Sequence, residues 1–271
     1  MLYFVPTPIG NLGDISYRAL EVLQVCELIF CEDVRVCKAL INLLSAKYNI
    51  DFGSKNYISL HSHNEKEFDF SNIDFSKNIA FLSDAGMPCI SDPGISLVKY
   101  AQENDIKYCV MPGANAAITA LVASGFSDKE FIFLGFLNIK KNRQAQIENA
   151  LNQAYPTILY EAPTRIMDLI QDIAKIDEDK EIFLIKEISK MYEKTYKDKA
   201  KNLAKLLKNE NLKGEWVVVI NNQIPNSNSS ISSEDILSLN ISLKDKSKLL
   251  SKLNGLSPKQ NYENLLKSEE K

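Results

Sequence analysis

The chain has 271 residues, 45% of them apolar, with 32 Lys and Arg against 35 Asp and Glu for a net charge of −3. That is enough apolar material for sizeable cores in about two domains, and the acidic excess excludes a generally basic nucleic-acid-coating protein, so any RNA contact has to use local patches. No apolar run approaches the roughly 18 residues of a membrane span and the N-terminus has no signal-peptide pattern, which reads as a cytoplasmic protein without a membrane partner.

The first predicted element is a buried strand over residues 2–5. It enters "PTPIGNLGDIS", where Gly10 and Gly13 supply backbone freedom and Pro6 and Pro8 stiffen the entry; this is either a ligand loop or a strand-to-helix turn capped by Asp14. Ile15, Ala19, Val22, Leu23 and Cys26 then share a helical face. "LIFC" is a second strand running into Glu32, Asp33, Val34 and Arg35, after which Val34, Cys37, Ile41 and Leu44 resume helical spacing. Strands at 57–60, 79–82 and 106–110 with a helix over about 95–104 continue the alternation, which predicts a mainly parallel sheet with helices on its faces. The five cysteines are scattered and read as buried thiols.

"PGANAAITALVASG" opens a helix that is apolar around most of its girth, as a helix between layers would be. "FIFLGF", "TILYEAP", "EIFLIKEI", "MYEKTY" and "EWVVVI" predict a second α/β domain whose later strands turn antiparallel. The expected boundaries are an α/β domain over 1–112, a second over 113–222, a linker rich in Asn, Ser and Pro over 223–233, and a small helical module over 234–271, its last helix starting at Ser257-Pro258.

Ligands of parallel α/β sheets collect beyond the carboxyl ends of strands. The segments placed there are 6–14, 32–35, "SDAGMPCISDPG", "MPGANAA", "YEAPTR" and "KGE". The third is the most specific, since two Ser-Asp pairs, two glycines and two prolines in twelve residues make a rigid double turn whose Asp84 and Asp92 either hold a polar ligand or cap a helix or turn. His61 and His63, the only histidines, share a strand face in this reading, but no third ligand completes a metal site, and none is expected. No dinucleotide or P-loop fingerprint follows any strand. "NIKKNRQ" is the clearest basic cluster, otherwise a solvated loop.

Together "PTPIGNLGDIS", "ALEVL", "CEDVR", "SLHSHNE", "SDAGMPCISDPG", "PGANAAITALVASG", "FLGFL", "YEAPTRI" and "KGEWVVVI" make nine blocks whose order and spacing resemble the ribosomal RNA ribose methylases of the tetrapyrrole methylase superfamily, densely over about residues 1–222. The resemblance implies a two-domain α/β fold, with a mainly parallel first sheet and a mixed second sheet. It also implies a homodimer that binds S-adenosylmethionine between the domains and methylates the ribose 2′-hydroxyl of a decoding-region cytidine in 16S rRNA, in the small ribosomal subunit and without a metal. A porphyrin-like acceptor on the same scaffold, or a non-catalytic RNA-binding adaptor, are the alternatives.

Carried onto this chain, the donor site comprises Pro8, Ile9, Gly10, Asp84, Gly86, Met87, Ile90, Asn115, Ala116, Ala117, Tyr160 and Gly214, with Glu161 and Ala162 at its rim. Val34, Val36, Met87, Asn115 and Thr164 depart from the family's usual Thr, His, Thr, Ser and His, which leaves carboxylates and basic groups to do the chemistry. Methyl transfer to an alcohol needs alignment and a proton acceptor, so Asp33, Asp92, Glu161 and Glu187 are the catalytic candidates. Arg35, Lys140, Lys141, Arg143 and Arg165, together with Lys186, are the groups for phosphate or charge steering. Each is equally readable as half of a structural ion pair.

Overall fold

A computed structural model describes residues 1–126, 129–139, 142–222 and 233–269. The chain divides into a unit over Met1–Gln223 and a second over Ile224–Lys271; Lys140, Lys141 and most of the expected 223–233 linker lie outside the described residues.

The larger unit is built on two five-stranded sheets. The first half runs β1 (Leu2–Val5), α1 (Tyr17–Val25), β2 (Leu28–Cys31), α2 (Val34–Tyr48), β3 (Asn56–Ser59), β4 (Ile79–Leu82), α3 (Ile95–Glu103) and β5 (Tyr108–Val110). Its strand order is β3-β2-β4-β1-β5 and every pairing is parallel. Side chains alternate across the sheet, Leu2, Phe4, Phe30, Ile79 and Phe81 packing into one core and Val5, Ile29, Ala80 and Leu82 into the other. A sheet covered on both faces explains why these strands read as continuous apolar runs.

The second half runs α4 (Ala116–Ser124), β6 (Ile132–Phe136), α5 (Arg143–Leu151), β7 (Thr157–Glu161), α6 (Ile166–Ile176), β8 (Glu181–Lys186), β9 (Lys194–Lys199), α7 (Ala200–Leu206) and β10 (Trp216–Ile220). In the order β6-β7-β10-β8-β9 only β6 and β7 are parallel, the mixed sheet that was expected. Ile166, Leu169, Ile170 and Ile173 form the fully buried stripe of α6, at helical spacing. The smaller unit holds α8 (Ser233–Ser238), α9 (Leu243–Asn254) and α10 (Pro258–Glu269) around Ile236, Leu250 and Leu265; Pro258 starts the last helix as expected, with the Ser257 hydroxyl accepting from the Gln260 N–H.

Three local expectations are corrected. First, α4 buries only Ala117, Ala120, Leu121 and Ser124, against the second sheet, and leaves Ile118 and Val122 43% and 76% exposed, so it covers one layer rather than filling a space between two. Second, β3 ends at Ser59, and His61 and His63 stand in the turn that follows, where the His63 N–H donates to His61 Nδ1 at 3.3 Å. No cluster of three metal-ligating side chains occurs among the described residues. Third, "MYE" is a turn, and the strand begins at Lys194, because Glu187 and Ser189 take left-handed backbone angles that break the extended run.

Candidate functional site

In the first sheet the chain leaves β1 for distant β2 and later inserts β4 beside β1, so the loops after β1 and β4 face each other at the carboxyl edge, the position where such sheets bind ligands. The two loops are stitched. Thr7 and Gly86 exchange backbone hydrogen bonds of 2.9 and 3.1 Å, the buried Thr7 hydroxyl donates to the Ser83 carbonyl, and the Ser83 hydroxyl donates to the Gly86 carbonyl. The loop after β5 is pressed against them: a Cβ on Gly113 would stand 2.4 Å from Pro6 Cβ, so only glycine fits there. Asn115 then caps α4, its side chain accepting from the Ile118 N–H at 3.0 Å.

Between this edge and the ends of β7, β8 and β10 lies a cleft of about 340 Å³, within the size range of small-molecule sites. Seven of the expected donor-site residues line it: Ile9, Gly86, Met87, Ile90, Asn115, Ala116 and Tyr160. Pro8, Gly10, Asp84, Ala117 and Gly214 do not line it, but four of them hold its walls. Asp84 accepts from the Asp33 N–H at 3.3 Å and ties the two loops around it. Ala117 is buried in the cluster against which Tyr160 packs. Gly10 lies so close to the Ile188 carbonyl that a Cβ would stand 2.8 Å away, and Gly214, at φ +121°, leaves room for Glu187.

The four carboxylates separate sharply. Asp33 is half-buried and caps α2; its Oδ1 accepts from the Arg35 N–H at 2.7 Å and its Oδ2 from Arg35 Nη2 at 2.7 Å, which holds its carboxyl down at about 2. Burial pushes the Glu187 carboxyl up, but the Glu215 N–H at 2.9 Å and Lys190 Nζ at 3.0 Å outweigh it and hold the group below its ordinary value. Neither lines the cleft. Glu161 does, with its side chain wholly buried beneath Arg143 and Arg165.

Asp92 lines the cleft without a hydrogen bond or ion pair from any described residue. Burial, and then the charges of Glu32 and Asp84, push its carboxyl from 3.8 up to about 7. It follows Cys89 and Ser91, both non-glycine residues at φ of 67° and 64°, and Glu187 and Ser189 form a second such pair, at 57° and 66°, on either side of the cleft-lining Ile188. Strained backbone of this kind concentrates at functional sites.

Of the expected basic groups, Arg35 is engaged with Asp33, Arg143 and Arg165 meet on Glu161, and Lys186 is buried, donating to the Asn211 carbonyl at 2.6 Å. Phe136, Ile188, Trp216 and Val217 also line the cleft and were missed. They stand in or just beyond strands, where the pattern reads simply as core; the single tryptophan was the one available signal.

The cleft walls are apolar and aromatic, with Phe136 and Tyr160 rings 5.5 Å apart, and among the described residues their charged members are carboxylates, with no Lys or Arg. Such a lining fits S-adenosylmethionine, whose purine suits the aromatic wall and whose sulfonium suits the acidic one. Comparison with known proteins agrees. The family model of tetrapyrrole (corrin/porphyrin) methylases matches residues 1–204. The chain is 52% identical to ribosomal RNA small subunit methyltransferase I of Campylobacter fetus subsp. fetus, over 98% of this chain and 100% of that one. It is 42% identical to the protein of that name from Helicobacter pylori strain J99, over 82% and 83% of the two chains. To the Bacillus subtilis strain 168 protein it is 36% identical, over 81% and 74%. With an acidic, aromatic cleft at the switch of its first sheet and these relatives over four fifths of its length or more, the chain belongs to the tetrapyrrole methylase family, among its small-subunit ribosomal RNA methyltransferase I members.

Proposed function

We propose that the protein transfers a methyl group from S-adenosylmethionine to the ribose 2′-hydroxyl of a decoding-region cytidine in 16S rRNA. The observation that carries this reading is Asp92, a carboxylate without a partner among the described residues on the wall of a cleft fitted to a cationic donor. Bound there, S-adenosylmethionine supplies an electrophilic methyl group. Ile9, Gly86, Met87, Ile90, Asn115, Ala116 and Tyr160 bind and orient the donor, while Ile188 and Trp216 exclude water from the apolar side. Asp92 accepts the 2′-hydroxyl proton as the oxygen attacks; a carboxyl poised near neutrality is matched to that task. Asp33 and Glu187, held low by their partners, shape the loops and take no proton in this scheme.

RNA contact is assigned to Arg35, Arg143 and Arg165, with Lys140 and Lys141 adding charge from outside the described residues. The exposed Ile118 and Val122 of α4 support a homodimer with this face as its contact; Val122→Asp is expected to convert a dimer to a monomer by light scattering. The deciding experiment supplies purified protein, donor with a labelled methyl group, and small ribosomal subunits from a strain lacking the gene, then maps the label. A modified decoding-region ribose sustains the proposal. Donor binding with no label on subunits or free rRNA overturns it in favour of a small-molecule acceptor.

A further inference from the structure

We infer that Glu161 is a positioning residue that pins Arg143 and Arg165 into a receptor for one backbone phosphate of the substrate strand. The inference rests on RNA being the substrate, as proposed above. The Glu161 side chain has no exposed surface, while those of Arg143 and Arg165 retain 13% and 24% of theirs. Glu161 Oε2 accepts from Arg143 Nη2 at 2.8 Å; Oε1 accepts from Arg165 Nε and from the Ala162 N–H, each at 2.8 Å, and pairs with Arg165 Nη2 at 2.7 Å. Both carboxylate oxygens are engaged with protein donors, Oε1 with three and Oε2 with one. A side chain so occupied is badly placed to take a proton from substrate, and well placed to fix the planes of two guanidinium groups.

The charges do not close. One carboxylate faces two guanidinium groups, leaving a surplus positive charge in a largely desolvated place, which a further anion would relieve. Apart from the bonds to Glu161, the only other acceptor for either guanidinium among the described residues is the Asn138 carbonyl, 3.4 Å from Arg143 Nη1, so several N–H groups remain for a ligand. The topology reinforces the preference: β6 and β7 are parallel neighbours, so α5 and α6 begin at one edge, Arg143 as the first residue of α5 and Arg165 just before α6, and neither helix start has a side-chain cap.

A guanidinium pair with fixed planes matches the tetrahedral oxygens of a phosphodiester. Glu161 lines the cleft and the two arginines do not, so the anion lies beyond the carboxylate wall rather than inside with the donor. A strand whose target ribose enters the cleft would place a neighbouring phosphate there.

The test uses full-length protein, a fluorescent RNA oligonucleotide of the decoding-region helix and a salt series. Arg143→Ala and Arg165→Ala are each expected to weaken RNA binding about tenfold and to lower the salt slope by about 0.7, and the double variant to lower the slope no further, since one phosphate is shared. S-adenosylmethionine affinity stays unchanged. Glu161→Gln is expected to raise the KM for RNA several-fold while kcat at saturating RNA falls less than about fivefold, well short of the hundredfold or more for loss of a general base.

Should the alanine variants melt early, Arg143→Lys and Arg165→Lys keep the charge, and the proposal then requires their KM for RNA to rise with kcat preserved. Unchanged salt slopes and KM, a parallel loss of donor affinity, or a hundredfold fall of kcat in Glu161→Gln with KM unchanged would each overturn it, the second assigning the arginines to the donor carboxylate. A wild-type protein that neither binds nor methylates RNA defeats the proposed function itself; RNA-active wild type with insensitive variants defeats only the phosphate receptor.

Discussion

The two walls of the cleft treat negative charge in opposite ways. On the wall from the first sheet, Asp92 stands with Asp84 and Glu32 nearby and with no cation paired to it among the described residues, and burial together with these like charges pushes it toward neutrality. On the wall from the second sheet, Glu161 is more deeply buried yet carries two arginines and a backbone N–H. Burial alone therefore does not decide what a carboxylate does. The partners decide, and they separate a group available to exchange a proton from one committed to holding others in place.

The sharpest way to break this comparison is to remove Glu161. Glu161→Ala leaves two mostly buried guanidinium groups without their counter-charge and is expected to destabilise the protein by about 3 kcal/mol or more, read as a drop in the midpoint of urea unfolding. A loss below about 1 kcal/mol would mean that solvent already compensates the arginines, and the contrast between the walls would collapse. Next comes Asp92→Asn, expected to lower kcat by about a hundredfold or more while donor affinity stays within a few-fold. In the wild type, only ionised Asp92 accepts a proton, so the single-turnover rate should climb with pH to a plateau above about 7. A rate that is flat from pH 5 to 8 would remove Asp92 from the proton path.

Much of this was legible in the sequence, for a definite reason. The fold class follows from short apolar runs alternating with helical spacing, and the loops at the carboxyl ends of those runs were the right places to look: Ile9, Gly86, Met87, Ile90, Asp92, Asn115 and Tyr160 all reach the cleft. What failed is what depends on distance. Glu161 and Arg143 lie 18 residues apart and meet only because β6 and β7 pair in parallel, so nothing local marks Glu161 as engaged. Trp216 and Val217 carry the same apolar signature whether they face a core or a ligand. The backbone strain at Cys89, Ser91, Glu187 and Ser189 sits on residues that are not glycine, and composition gives no sign of it. The histidine pair was misplaced because "YISLHSH" continues the period-2 pattern past the point where the strand ends.

The smallest effect, and the one that isolates the first wall, is on stability against pH. Asp92 binds its proton more tightly in the folded chain than in the unfolded one, since its carboxyl rises from 3.8 to about 7. The folded state therefore holds more bound proton between those values, and stability must fall as pH rises through that window and level off above it. Full expression of the displacement would be worth about 4 kcal/mol; the carboxylate opens onto the cleft, and solvent screening reduces this to about 1 kcal/mol. Asp33 and Glu187 work in the other direction, held low by their partners, and their contribution is lost only as pH falls below the ordinary carboxylate range, for Asp33 toward about 2. Asp92→Asn should accordingly be more stable than wild type at pH 8 and indistinguishable from it near pH 4, by urea unfolding at each pH. Equal stability at both would mean that the first wall is as well compensated as the second, and the raised proton affinity that suits Asp92 for catalysis would have no physical source.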